Sequence, residues 1–385
     1  MLKKVKIKNF LSCTDVELGL DAVTALIGRN AAGKTNILRV IEERAQFAVG
    51  ANKSIAGWEG IQGRLEKDSS EYSLEFSIES ELFKYEVSIS RSNKGRIIIE
   101  NLWKYIDNNW KLITEREGKT AVFYHADEII ELNISASASV IYTLHSLLPE
   151  EKLSDISPVF NYLSKVTYYD LDNNLIKEFS SISENQYQQW LADNKKIERS
   201  VCMRLLHQWH SNKEQFEEIK ALLGENGLNL IKDIVIKTVL WGEEEIDDNL
   251  FHRISFTAVT RNNILDYEDL SFGTRRVIAI ILALLYDNNS TLLIEQPEDG
   301  IHVGLLRKVL SLCFTYAEHL NKQLVITTHS AEVIDLLEAK MIRFVKMTEA
   351  GTKASSLDDK TLSLVPRYIA NEGTLSEFLE TEDDE

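Results

Sequence analysis

The sequence predicts an α/β fold assembled from both ends of the chain, with a small antiparallel sheet and a mostly helical insertion between them. Three observations carry this. Gly28–Thr35, GRNAAGKT, lies between an apolar run of strand length, Ala22–Ile27, and the opening of a helix, Thr35–Arg44. Tyr72–Ile78, Phe83–Ser90 and Ile97–Trp103 alternate or run apolar over strand lengths, with polar turns such as Ser92–Gly95 between them. Thr291–Glu298, TLLIEQPE, is an apolar strand that ends in carboxylates.

Composition narrows the class. A chain of 385 residues has room for two or three domains and a sizeable core. With 44% hydrophobic and 27% charged residues it reads as globular. The longest apolar run, Val277–Tyr286, is too short to span a bilayer, so no membrane partner is expected. The N-terminal MLKKVKIKNF alternates lysines with aliphatics, like a strand rather than a signal peptide. Cys13, Cys202 and Cys313 lie far apart, with no CxxC, which fits a reducing cytoplasm. The net charge of −17 disfavours a surface-wide nucleic-acid binder but leaves a local basic groove open. The acidic stretches Glu243–Asp248 and Glu377–Glu385 read as solvated surface, with docking of a basic partner as the alternative.

In chain order, residues 1–27 read as two strands leading into the glycine loop. Leu2, Val5 and Ile7 face inward and Lys4, Lys6 and Lys8 outward, as an exposed strand face or as a DNA contact. Gly28–Thr35 fits G-x-x-x-x-G-K-[ST], the loop that cradles nucleotide phosphates. Its glycines let successive N–H groups point inward, Lys34 reaches the β- and γ-phosphates, and the Thr35 hydroxyl takes a place on magnesium. The candidate nucleotide contacts are Gly28, Arg29, Asn30, Ala31, Ala32, Gly33, Lys34, Thr35 and Asn36. The following helix points its positive N-terminus at the phosphates and continues over Asn36–Phe47. Gln62 reads either as a magnesium-sensing glutamine or as a plain surface residue.

Residues 125–250 are mostly helical in pattern, over Ala138–Leu148, Asn185–Leu191, Val201–Trp209 and Lys213–Leu223, with one strand at Val166–Leu171. His207 and His210 sit at i, i+3 on one of these helices, but no carboxylate or cysteine at metal spacing accompanies them. Trp190, Trp209 and Trp241 read as core or interface anchors.

Chemistry returns in a fixed order from residue 270. Leu270–Arg276, LSFGTRR, precedes an apolar helix at Val277–Tyr286. Thr291–Glu298 supplies carboxylates of the kind that hold magnesium beside a nucleotide. A helix over Val303–Leu320 and an apolar-threonine strand, Gln323–Thr328, follow, and the strand ends at His329. A helix at Ala331–Leu337 and a strand at Met341–Met347 close this part.

These motifs in this order resemble the ABC-type ATPase heads of the SMC, RecF and OLD-like group, and above all its stand-alone OLD-like members encoded beside phage-defence effectors. The resemblance is firm over residues 1–50 and 265–335, extends over 51–124, and covers 125–260 only as an insertion. It implies an N-terminal ATPase lobe at 1–124, a mainly helical insertion at 125–260, a C-terminal ATPase lobe at 261–350 and an extension with an acidic tail at 351–385. It makes Gly28–Thr35 the Walker A loop, Ser271, Gly273 and Thr274 the signature motif, Glu295 the magnesium-binding Walker B acid and His329 the switch histidine. The implied ligands are ATP and Mg2+. In this group the signature motif contacts the γ-phosphate held by a second subunit, which implies a dimer or larger oligomer closed around ATP. Arg275 or Arg276 adds positive charge there, or is plain helix surface.

One position departs from the group's pattern. The usual Asp-Glu-Pro is here Glu295-Gln296-Pro297, followed by Glu298, and a glutamine cannot accept a proton as a general base. Either Glu298 or His329 orients the water, or the enzyme is a slow switch held by ATP, or the glutamine is a substitution that traps ATP. The slow switch is the expectation. The resemblance implies a sensor or regulator of a separate effector protein in anti-phage defence. A RecF-like DNA-repair clamp is the alternative, and a transporter ATPase subunit is disfavoured by the long insertion. Fewer than 40 residues follow the strand Met341–Met347, and Asp358 and Asp359 alone do not make the nuclease centre of full OLD-type enzymes. The chain itself is therefore expected not to be a nuclease.

Overall fold

A computed structural model describes residues 1–50, 69–92, 95–126, 128–171, 179–192, 200–240, 250–259 and 263–383. Gln62, Trp241 and the acidic run 243–248 lie outside the described residues. The chain divides into two compact units: Met1–Asp170 with Asn288–Pro297 and Phe314–Glu385, and Leu171–Asp287 with Glu298–Cys313.

The first unit contains two sheets among the described residues. One has the strand order Val166–Tyr169, Thr291–Glu295, Gln323–Thr328, Val23–Ile27, Ile342–Thr348, Gly351–Ser356. Neighbours run parallel throughout, except for the antiparallel pairing of the last two. Val23–Ile27 and Gln323–Thr328 are buried along their whole length. That is why they read as unbroken apolar or threonine runs: a parallel strand covered on both faces has no polar side to alternate with.

The other sheet is antiparallel, in the order Cys13–Gly19, Leu2–Phe10, Ser69–Ile78, Glu81–Ser92, Gly95–Ile106, Asn109–Glu117, Thr120–His125, Glu128–Asn133. It is larger than the three-strand meander read from the sequence, and residues 1–27 form three strands rather than two. The N-terminal strand carries a register shift between Leu2 and Lys4. This bulge is what lets Leu2 and Val5, three residues apart, both face the core with Ile7. Lys4 and Lys6 pair with Glu17, and Lys8 with Glu71, on the outer face. Asp107 and Asn108 both have positive φ, 50° and 63°, as the two-residue turn of a tight hairpin requires.

The helix Lys34–Ala48 buries Ile37, Leu38, Val40, Ile41 and Ala45. They join one core with Leu2, Val5 and Ile7 of the antiparallel sheet and with Leu26, Leu293, Val325 and Val345 of the parallel one. Gln323 ties the N-terminal strand to the parallel sheet. Its Oε1 accepts from Leu2 N–H at 2.8 Å, and its Nε2 donates to the carbonyls of Leu2 and Asp21 at 2.7 and 2.9 Å. The helix expected at Ala331–Leu337 is shorter, Ala331–Ile334. The acidic tail is not all solvated surface: it forms a helix, Leu375–Asp383, that buries Leu375, Phe378 and Leu379. No helix among the described residues is long and apolar enough to cross a membrane.

The second unit holds the helices Glu184–Ala192, Val201–Ser211, Lys213–Leu223 and Phe272–Leu285. Ser200, Asn212 and Ser271 cap three of them with side-chain oxygens that accept a backbone N–H. It also holds a sheet that the helical reading of this region did not include. Asp233–Leu240 and Leu250–Thr257 pair antiparallel, and Ser181–Ser183 and Ile264–Leu265 add to the latter.

A buried ion pair fixes the antiparallel sheet to the helix Val140–Leu147 that follows it. Arg116 and Glu100 are both fully buried and meet at 2.7 Å. Glu100 also accepts from the Tyr85 hydroxyl at 2.7 Å, the Ser139 hydroxyl at 2.8 Å and Val140 N–H at 3.1 Å. Arg116 donates onward to the carbonyls of Gly118, Ser135, Ala136 and Ala138. Burial, and then the Glu100 charge, push the Tyr85 hydroxyl well above its ordinary pKa, so it stays a donor. Removing one partner leaves the other charge buried, which costs about 3–5 kcal/mol. We therefore expect Glu100→Ala to lower the unfolding free energy in urea by that amount, and a loss below about 1 kcal/mol would contradict this account of the network.

Candidate active site

The parallel register builds the site. Glu295 pairs with Thr327, and Thr328 with Ile27, so three strands end in a row. The glycine loop leaves Ile27, Gln296 follows Glu295, and His329 follows Thr328. Ligands of open α/β sheets bind beyond the carboxyl ends of the strands, for this geometric reason.

The loop is shaped by two glycines. Gly28 has φ 149° and Gly33 φ 103°. A Cβ on Gly28 would strike the Val345 carbonyl, and one on Gly33 the side chains of Thr352 and Ser12. Arg29, Asn30 and Ala31 form the exposed crest, while Ala32 is buried. The carbonyl of Ala32 accepts from Thr352 Oγ1 at 2.9 Å, and its N–H donates to Arg29 O at 3.2 Å. Lys34 is 6% exposed. Its ammonium lies over the loop, donating to Gly28 O at 2.6 Å and Arg29 O at 3.0 Å. Asn36 turns its amide to Ser12 Oγ at 2.9 Å, which gives that side chain to the support of the loop.

Thr35 and Glu295, 260 residues apart in sequence, meet directly: the Thr35 hydroxyl donates to Glu295 Oε1. The other carboxylate oxygen accepts from the Tyr168 hydroxyl. Burial, and then Glu295, push the Tyr168 hydroxyl above its ordinary pKa and keep its proton in place. The strand pairing that sets Tyr169 opposite Ile294 brings Tyr168 there. A hydroxyl and a carboxylate are hard oxygen donors, the set that suits magnesium.

Gln296 has a left-handed backbone, φ 42°, uncommon for a residue with a Cβ and typical of functional sites. Its N–H donates to Thr327 O at 3.1 Å, and its side-chain Nε2 lies 3.0 Å from His329 Nδ1. The carboxamide and the imidazole are thus within hydrogen-bond reach of one another. Lys34, Thr35, Glu295, Gln296 and His329 all belong to the first unit.

Ser271, Gly273, Thr274 and Glu298 belong to the second unit. Ser271 is the N-cap of Phe272–Leu285: its Oγ accepts from Thr274 N–H at 3.2 Å and lies 2.8 Å from Thr274 Oγ1. Gly273 packs so closely on the Gly300 carbonyl that a Cβ would clash, and Gly300, with φ 71°, packs on Phe272. The turn after the carboxylate strand is closed by Ile301 N–H on Glu298 O at 3.1 Å.

Sequence reasoning missed Tyr168, Ser12 and Thr352. None sits in a motif. Tyr168 lies in the expected strand Val166–Leu171, but its reach to Glu295 depends on which strand lies beside it. Ser12 and Thr352 meet at 2.7 Å under the loop although they are 340 residues apart.

Comparison with known proteins places the chain in a family. Over an alignment of 409 residues the chain is 22% identical to a protein of Helicobacter pylori (strain ATCC 700392 / 26695) named ATP/GTP phosphatase, covering 100% of this chain and 99% of that one. A 42-residue stretch is 50% identical to the OLD nuclease of Thermus scotoductus (strain ATCC 700910 / SA-01), covering 11% of this chain and 8% of the nuclease. The fold is like that of an Smc head crystallised with the C-terminal winged-helix domain of ScpA, with TM-score 0.53, 13% identity, and 94% of this chain and 99% of that one covered. Residues 23–335 match the family described as "AAA domain, putative AbiEii toxin, Type IV TA system". The chain belongs to that family and is an ATP-hydrolysing enzyme of the SMC/OLD-like ABC type.

Proposed function

We propose that this ATPase is a slow, ATP-held switch that pairs with a second copy of itself and governs a separate effector protein in cytoplasmic defence against phage. The observation that carries the slow turnover is the contact between Gln296 and His329. A carboxamide stands where catalysis calls for a proton acceptor, one residue beyond a carboxylate engaged with Thr35. The defence role rests on the likeness to OLD-type proteins.

In this reading the loop N–H groups and Lys34 hold the β- and γ-phosphates of ATP. Thr35 and Glu295 would hold magnesium, which would supply charge neutralisation at those phosphates when bound. His329 donates to the γ-phosphate, and Gln296 positions His329. Glu298 accepts the proton of the attacking water. Ser271, Gly273 and Thr274 of the second copy reach the same γ-phosphate, so the pair holds together while ATP is intact and loosens on hydrolysis.

Steady-state phosphate release from the full chain tests the chemistry. We expect kcat below about 1 s⁻¹, the low edge of the usual enzyme range. Lys34→Ala should abolish ATP binding. Glu298→Ala should lower kcat at least tenfold with KM little changed, on the scale of about 10²–10⁴ for general-base catalysis. Turnover left intact in Glu298→Ala would remove that residue from the mechanism. Gln296→Glu restores a proton acceptor beside His329, and we expect it to raise kcat at least about tenfold. An unchanged or lower kcat in that variant would show that the glutamine does not limit the rate.

A further inference from the structure

We infer that the second unit carries a binding site for a zinc-class divalent metal ion, formed by Glu184, His210 and His252 and separate from the ATPase chemistry. One potential ligand atom of each residue lies within 4.8 Å of the other two. The three come from three elements. Glu184 opens the helix Glu184–Ala192, His210 lies near the end of the helix Val201–Ser211, and His252 lies in the strand Leu250–Thr257.

The pair His207 and His210, suggestive by spacing, is divided between two tasks. His207 Nδ1 is 3.1 Å from the Tyr187 hydroxyl. His210 instead faces His252, with ring centroids 5.1 Å apart and planes at 89°, and stacks on Tyr187 at 5.2 Å. The carboxylate absent from the local sequence is supplied by Glu184, whose Oε2 is 2.6 Å from His252 Nε2.

Two outer contacts make the cluster look built for coordination. Metal-bound imidazoles are held at their other nitrogen by a polar partner, and metal-bound carboxylates by a hydrogen-bond donor. Thr238 Oγ1 lies 3.3 Å from His252 Nδ1, across the paired strands. Gln188 Nε2 donates to Glu184 Oε1 at 2.6 Å, one helical turn along. His252 is buried, Glu184 half-buried and His210 exposed, so the three donors converge on a position open to solvent.

The donors choose the metal. Two imidazole nitrogens and one carboxylate form a borderline-soft set that zinc takes readily and magnesium does not. Three protein ligands leave a fourth position for water. Metal on His252 Nε2 places the proton of the neutral ring on Nδ1, where Thr238 Oγ1 lies 3.3 Å away as its partner.

The test uses the full chain, stripped with a chelator and free of nucleotide, titrated with Zn2+ by calorimetry and with Co2+ by visible absorption. We expect one Zn2+ per chain, Co2+ bands of a four- or five-coordinate site, and at least a 100-fold loss of zinc affinity in His210→Asn and in Glu184→Gln. Such a loss exceeds the 10–100-fold typical of an outer partner. Glu295→Gln, which alters the magnesium residue of the ATPase site, should leave zinc binding unchanged. ATP binding in His210→Asn and Glu184→Gln should match the parent chain and so report intact folding. Absence of stoichiometric zinc binding, or binding that survives both ligand substitutions, overturns the proposal. Binding that is lost only in Glu295→Gln would place the ion at the nucleotide site and overturns it too.

Discussion

The site depends on the register of three parallel strands. Were Gln323–Thr328 to slip by one residue against either neighbour, its faces would reverse and the row formed by Ile27, Glu295 and Thr328 would break. The chain holds that register in two ways. Both faces of the strands are buried, so a slip exposes apolar surface and strands unpaired amides. Gln323 then locks the strand start by spending both amide groups on the backbones of Leu2 and Asp21. The first-unit residues proposed to act on a nucleotide all hang from those strand ends.

A second theme is that buried charge is matched before it is used. Lys34 rests on two loop carbonyls, and Glu295 accepts from two hydroxyls. An ion left without such partners would cost several kcal/mol or lose its charge. The same economy appears at Glu100 and Arg116, far along the chain from the loop, where it serves stability alone. The contrast separates the two kinds of site. Glu100 and Arg116 are sealed from water, whereas Thr35, Glu295 and Gln296 are only half-buried. The left-handed Gln296 turns out of the strand end toward His329, the kind of backbone strain that gathers at functional sites.

What the sequence made legible follows from local physics. Gln323–Thr328 and Lys213–Leu223 fall where the sequence put them, because a fully buried run and a 3.6-residue period need no knowledge of neighbours. The phosphate loop was legible because its glycines serve a backbone shape encoded within eight residues. The outer strands of the antiparallel sheet were not. Asn109–Glu117 is exposed at alternate positions and rich in charge, so its strand character comes from pairing with Gly95–Ile106. Asp233–Leu240 was hidden for a related reason: only its first half is buried. Side chains that meet through the fold, such as Tyr168 on Glu295 or His252 on Glu184, leave no trace in spacing at all.

The central claim is that intact ATP holds two copies of this chain together. Native mass spectrometry of the full chain, with ATP and magnesium and then with ADP, measures it directly. The account predicts a two-chain or larger species, carrying two ATP per pair, that falls to single chains in ADP. Single chains that carry ATP with no pairing at micromolar concentration would contradict it.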